Sequence, residues 1–443
     1  MLKFSVDTLF FDTIFTTLGS TTQSFTVHNP YSSPLKISSI DLAGGNQSFF
    51  RLNIDGEPGT HFSDLDLLAG DSLYIFVEVT IDPQNNNNPV YIHDSVTFEI
   101  NGNRQDIDLV AWGQDVHLLD GEIIATQTWN DDKPYLIVHS MLVDTLQTLT
   151  ILPGTRVYLH NNSTVYVSGT LEVLGTYDAP VQFSGDRLEQ MYEDIPGQWG
   201  GIYLLNGSKN NRIEHAVIKN GIYGIHLGNL YSNDPPPDLV ISNTVIMHMN
   251  FAGISTIGAT IRGGNLLIAD CGFYNLVLTT GGDYTFYHCT LANYWAWSNR
   301  TTPALLLTNY YNIDDTALIV GDLVRADFGN VIIYGNKDQE MERSSDPSAE
   351  YNYTFDHCLL KVKDGYDLSD TSRFREVFAN YDPGFINPQD YDFHPDSLAF
   401  IIDRGSPVFG NAWPLDLDGN SRTGDAAPDL GAFERTDTIT LLK

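Results

Sequence analysis

The chain of 443 residues has only three cysteines, and none sits in a C-x-x-C pair. A disulfide framework is thereby excluded, and cysteine usage leaves the redox compartment open. Basic residues are also scarce: 23 Lys and Arg stand against 56 Asp and Glu, a formal charge of −33. Such a surface repels nucleic acid and anionic lipid, so neither is expected as a partner. No apolar run of roughly 18 residues occurs, which excludes a transmembrane helix. The start "MLKFSVDTLFF" has neither a basic region nor a cleavage site and does not read as a signal peptide. Runs of helix formers with a 3.6-residue period are missing as well.

What is present is Tyr, Phe, Asn, Asp, Thr and Gly in short alternating stretches. Residues 3–117 hold "QSFTVHNP" (23–30), "LKISSIDL" (35–42), "SLYIFVEVTI" (72–81), "SVTFEI" (95–100) and "IDLVAWG" (107–113), separated by Gly, Pro and Asn clusters such as "QNNNNP". Strands at this spacing predict a β-sandwich over residues 1–118. Phe4 and Val6, Val27 and Asn29, and Ile75 through Pro83 resemble the loose motif of immunoglobulin-like domains of the ASH and choice-of-anchor type. That resemblance implies a spacer or docking module.

From about residue 119 the strands become very short, as in "LTILPGTRVYLHNNSTVYVSGTLEVLGTYDAPVQFSG" (149–185). Six segments overlay on the pattern apolar–x–[His/Asn/Asp]–small–x–apolar: "IEHAVI" (213–218), "ISNTVI" (241–246), "IADCGF" (268–273), "FYHCTL" (286–291), "FGNVII" (328–333) and "FDHCLL" (355–360). Their start-to-start spacings are 28, 27, 18, 42 and 27, which predicts one coil per step and two coils for the 42-residue gap. A solenoid buries its apolar face only by stacking such units. The pairs His288-Cys289 and His357-Cys358 fall where other rungs carry Asn243-Thr244 and Asn330-Val331. A metal site or catalytic dyad would not tolerate those replacements, so the histidines and Cys271, Cys289 and Cys358 read as structural.

With the rungs placed, residues 119–435 resemble the right-handed parallel β-helix of the pectin-lyase-like superfamily, in its surface-protein branch. "GTLEVLGT" (169–176), "GQWGGIYL" (197–204) and the tail after residue 383 carry the likeness. In the tail Gly405, Ser406, Pro407, Asp418, Gly419, Arg422, Asp429, Gly431 and Glu434 match the closing region of choice-of-anchor β-helix proteins. The resemblance implies an all-β protein: a sandwich (1–118), a right-handed parallel β-helix solenoid (119–384) and a C-terminal cap (385–443). It also implies an exported protein, lipid-anchored through a segment upstream of Met1 and displayed on the extracellular face of the outer membrane. Asp–Ser/Thr–apolar triplets, from Asp7-Thr8-Leu9 and Asp12-Thr13-Ile14 to Asp315-Thr316-Ala317 and Asp437-Thr438-Ile439, resemble an O-glycosylation acceptor of exported proteins. Asp7–Ile14 is expected to be the best exposed.

Three groups of residues bear on chemistry. Glycoside hydrolysis needs two facing carboxylates, and only Asp314-Asp315 hints at the hydrolase motifs of this fold. A polysaccharide lyase needs a base and a cation against the uronate, yet Arg262, Arg300, Arg325 and Lys337 are scattered. Tyr294, Trp295, Trp297, Tyr310 and Tyr311 offer a stacking platform for sugar rings; the plainer reading is that they seal a loop. Asp416, Asp418 and Asn420 in "DLDGN" alternate as hard oxygen ligands do in part of a Ca²⁺ loop, against the plainer reading of an Asp-Gly turn. No cofactor is required on this reading, and Ca²⁺ would bind weakly. The expected function is non-catalytic: a rigid surface scaffold binding a surface polysaccharide or an envelope protein. The alternative is a lyase or glycoside hydrolase of the same fold.

Overall fold

A computed structural model describes residues 1–435 except 17, 84, 85, 88, 314–316 and 425. Strands take 51% of the chain and helices 4%, so the protein is all-β, as the sequence predicts. It divides into two compact units, Met1–His117 with Leu188–Gln190, and Leu118–Arg187 with Met191–Lys443.

The first unit has two five-stranded sheets. One is antiparallel and centres on Ser72–Val79; in the other, Thr8–Phe15 runs parallel to Asn103–Gln114. Alternation in "SLYIFVEV" sends Ile75, Val77 and Val79 inward, where they share one core with Phe25, Ile37, Ile40, Phe98 and Leu109. Asn29, singled out in the sequence, is fully buried. Its amide donates to the carbonyls of Ser33, Leu67 and Leu68 and so pins a loop to the sheet edge.

The second unit has two parallel sheets, of eighteen and nine strands among the described residues. The chain passes in turn through a bent strand of the larger sheet and a short strand of the smaller one. Asp238–Met247, Ala252–Ile257, Thr260–Ala269, Tyr274–Thr279 and Gly282–Asn293 follow this order. Inward positions stack in register: Ile213 pairs with Ile241, then Gly263, Phe286, Phe328, Phe355 and Phe374. The four phenyl rings stack with centroids 5.6, 4.7 and 5.7 Å apart and nearly parallel planes. Gly263 leaves room for the first of them, since a Cβ there would come within 2.7 Å of the Phe286 ring.

Six successive bends each have a residue in the left-handed region: His215, Asn243, Asn265, His288, Asn330 and His357, with φ from 48° to 54°. Asn and His tolerate that region better than branched residues do, which explains the alternation in the motif. Their side chains form a ladder, with Asn265 donating to Asn243 at 3.0 Å and Asn330 to the His288 imidazole at 3.1 Å. The residue after each bend, among them Ala216, Thr244, Cys289, Val331 and Cys358, is buried, and all three cysteines are free.

Two rungs differ from the sequence reading. The step between 241–246 and 286–291 is "GGNLLI" (263–268), not "IADCGF", because Ile241 pairs with Gly263 and Leu266 with Cys289. The 42-residue gap is one step, since Phe286 pairs directly with Phe328, and the extra residues form an excursion. The described part of the C-terminal segment, 385–435, lies along the outer side of the larger sheet. Ser406 exchanges hydrogen bonds with Asn330, Trp413 fills the space above Gly264, and Phe409 stacks on Tyr287 at 4.8 Å. Buried Arg422 fastens it, bonding Glu434, Asn265 and the carbonyls of Gly431 and Ala432.

Candidate functional site

Strand alternation gives the nine-stranded sheet an inner apolar face and an outer face. Outward in register lie Tyr166, Tyr203, His226, Ser255, Val277, Leu306 and Glu342. Bulky rings stand at one end of this row, and Ser255 and Val277 make a low floor in its middle. Beside them Ile257 pairs with Thr279, and Thr308 with Ser344. An antiparallel hairpin, Tyr310–Asn312 with Leu318–Val320, stands over this side, tied down by the Tyr310 hydroxyl on Ser344 Oγ at 3.0 Å. The result is a groove of about 430 Å³, lined by Tyr223, Phe251, Tyr274, Tyr310, Tyr311 and Glu342 among others.

The aromatic walls are continuous. Tyr223 and Phe251 lie 5.0 Å apart, and Phe251 meets Tyr274 edge-on at 6.1 Å. Burial, followed by the nearby Tyr311, raises the Tyr223 phenol, and both side chains line the groove. Burial, then Glu342, raises the Tyr274 phenol. Burial pushes His226 down to about 4, and its ring is neutral at neutral pH. Among the described residues Glu342 is the only carboxylate lining the groove, and no Lys or Arg lines it. Arg343, next in sequence to Glu342, points the other way, with its guanidinium about 5.5 Å from the rings of Tyr353, Tyr366 and Phe374. This geometry can hold a ligand with flat apolar faces and hydroxyl edges.

Of the five aromatics expected in a platform, Tyr310 and Tyr311 line the groove. Tyr294 instead packs against Phe385 and Phe393 of the C-terminal segment. Trp295 is buried, its ring over Gly272 and its Nε1 donating to Ser298 at 2.9 Å. Trp297 is half exposed and lies outside the groove. The loop holding these three is turned inward by Arg300, whose guanidinium forms a two-pronged buried pair with Glu340. Tyr223, Phe251, Tyr274 and Glu342 were not anticipated. The recurring aromatic just before Gly-Ile, Ala-Gly-Ile and Asn-Leu at 223, 251 and 274 was the available signal.

The residues of "DLDGN" do not fit a cation. Buried Asp416 accepts from the backbone N–H of Asp418 and Asn420 on one oxygen, and from the Asn420 amide and Glu434 N–H on the other. Those four donors occupy the lone pairs a Ca²⁺ ion would need. Asp418 turns to His394 Nε2 at 2.7 Å. The segment is an Asp-Gly turn. Asp314-Asp315, with the triplets that include Asp315 and Asp437, lies outside the described residues. Of the others, Asp144-Thr145-Leu146 and Asp396-Ser397-Leu398 are the exposed ones, with leucines 92% and 93% exposed. Asp7-Thr8-Leu9 is not, because Leu9 is buried in a strand.

No family model matches the chain, and no curated protein matches it. Among solved structures, a family 123 glycoside hydrolase from Clostridium perfringens is similar over 26% of this chain and 26% of its own, at 10% identity and a TM-score of 0.19. The ASH/PapD-like domain 7 of human CEP192 is similar over 26% of this chain and 85% of its own, at 9% identity and a TM-score of 0.18.

Proposed function

We propose that the protein is a non-catalytic, exported surface protein that binds a glycan in the groove on its nine-stranded sheet. On this reading the two parallel sheets are the turns of one right-handed β-helix. The regular alternation between sheets supports the coil, and the strong preference of parallel crossovers supports its hand. The rod is the scaffold, and the N-terminal unit is its spacer or docking module. The resemblance of the tail motif supports attachment to the outer membrane through a lipid.

The observation that carries the reading is the lining of the groove. Five aromatic side chains and several hydroxyls surround a floor of small residues, the chemistry that stacks on sugar faces and bonds their edges. A hydrolase would need a second carboxylate about 5–10 Å from the first, and among the described residues Glu342 is alone there. Affinity electrophoresis or calorimetry against a panel of oligosaccharides tests the proposal. Tyr274→Ala and Tyr311→Ala should each weaken binding about tenfold or more, at about 1.4–3 kcal/mol for a buried aromatic contact, while Trp297→Ala should not. Binding that ignores all three variants, or release of reducing ends from any bound glycan, would overturn it.

A further inference from the structure

The charges around the groove say more than its shape. Glu342 stands at the end of the outward row and lines the groove together with Tyr274. Arg343, the residue after Glu342, is turned away toward the rings of Tyr353 and Tyr366. No Lys or Arg lines the groove among the described residues. The whole protein has a formal charge of −33, so the long-range field has the same sign as the local one. An anionic sugar entering here would lose water to the aromatic walls, meet a carboxylate and find no counter-charge. A hydroxyl or amide group in the same place could donate to Glu342 at little cost.

We propose that the groove selects uncharged glycans and turns away those bearing uronate or sulfate groups, with Glu342 as the discriminating residue. The inference rests on the groove being the glycan site. It runs against a uronate-cleaving activity, which requires a positive partner for the substrate carboxylate. Discrimination then comes from repulsion built into the site and not only from attraction to the right ligand.

The test uses the full chain and hexasaccharides of two kinds: neutral ones of glucose, xylose or mannose, and acidic ones of galacturonate or mannuronate. Binding is measured at low and at about 0.5 M salt, where screening shortens the reach of the field. A neutral probe should bind, lose about tenfold or more in Tyr274→Ala and Tyr311→Ala, and change little with salt. Acidic probes should bind at least about tenfold more weakly than their neutral counterparts. Glu342→Lys should raise acidic binding by about tenfold, and Glu342→Gln should raise it less while weakening neutral binding by about threefold or more, because the charge-assisted bond is lost. Acidic probes that bind as well as neutral ones, and lose binding in the same tyrosine variants, would overturn the charge selection while leaving the groove as the site. Binding of no probe, or binding unmoved by the tyrosine variants, would overturn both. Unchanged thermal melting of each variant shows that the fold survives.

Discussion

Asn330 and His288 meet across one step of the parallel sheet, with the Asn330 amide donating to His288 Nε2 at 3.1 Å. Asn330 also exchanges two bonds with Ser406, so one residue joins neighbouring steps to the C-terminal segment. Burial, then the charge of Arg422, holds the His288 imidazole well below its ordinary pKa. The ring is therefore neutral and can accept that bond. His288→Leu would leave one of the two Asn330 amide N–H groups unpaired and place a bulky side chain at φ 52°. It should cost about 2–4 kcal/mol, combining a lost buried partner with left-handed strain. His288→Asn keeps an acceptor and tolerates the bend, and should cost about half as much. Urea unfolding midpoints measure both, and glycan affinity should not change in either.

The three thiols are sealed in the core. Burial pushes Cys289 and Cys358 up to about 12, and Cys271 higher still. The thiolate is the reactive form, so a chromogenic thiol reagent should label the native protein only as fast as it unfolds. Three equivalents are expected in denaturant. A disulfide in a peptide map, or fast labelling of any one cysteine at neutral pH, contradicts the placement.

Local grammar explains both what the sequence disclosed and where it misled. The bend residues were visible because a left-handed position followed by a buried residue, usually a small one, recurs over six successive steps. The same grammar occurs at a second corner, where Asp270 (φ 48°) precedes buried Cys271. "IADCGF" therefore matched the motif while lying five residues out of register with "GGNLLI". The groove was half legible: Tyr310 and Tyr311 were found from composition, but the sheet positions facing them come from separate turns of chain. Trp295 was misplaced because its direction is set by Arg300 meeting Glu340, a pairing 40 residues apart that no local pattern carries.

His394 bridges two carboxylates, Asp418 at 2.7 Å and Asp392 at 2.6 Å, and its ring lies 4.0 Å from that of Phe433. The bond to Asp418, more than that to Asp392, raises it to about 9. The folded pKa exceeds the unfolded value near 6.5. The stabilisation is therefore fully present below about 6.5 and is lost as pH rises through about 9. The side chain is 40% exposed, and solvent screening limits the effect to about 1 kcal/mol. Unfolding free energies of the native protein and His394→Gln should differ at pH 6 and converge by pH 10. A difference that is flat across that range would show that the imidazolium contributes nothing.

Asp270 behaves in a way that makes a sharper test. It lies buried at the second corner, where one oxygen accepts the Tyr294 N–H at 2.7 Å and the other has no hydrogen-bond partner within the protein. Burial, only partly offset by that bond and by Arg300, pushes its carboxyl up to about 7. The folded state thus holds a proton that the unfolded chain gives up near 3.9. Stability should fall as pH rises from about 4 through 7, because ionising the buried group is costly. Asp270→Asn keeps an oxygen for the Tyr294 N–H and removes the charge. Asn293, one step along at the same corner, shows that an amide is accommodated there, bonding Cys271 O and Asn275. The variant should be more stable than the native protein by about 1–3 kcal/mol at pH 8, the range for an unpaired buried polar group, and nearly equal to it at pH 4. The difference between the two unfolding curves isolates this group from His394, whose own loss lies about two pH units higher. A variant less stable at both pH values would mean that the free oxygen has a partner in solution, such as a bound water, and that Asp270 is ionised in the fold.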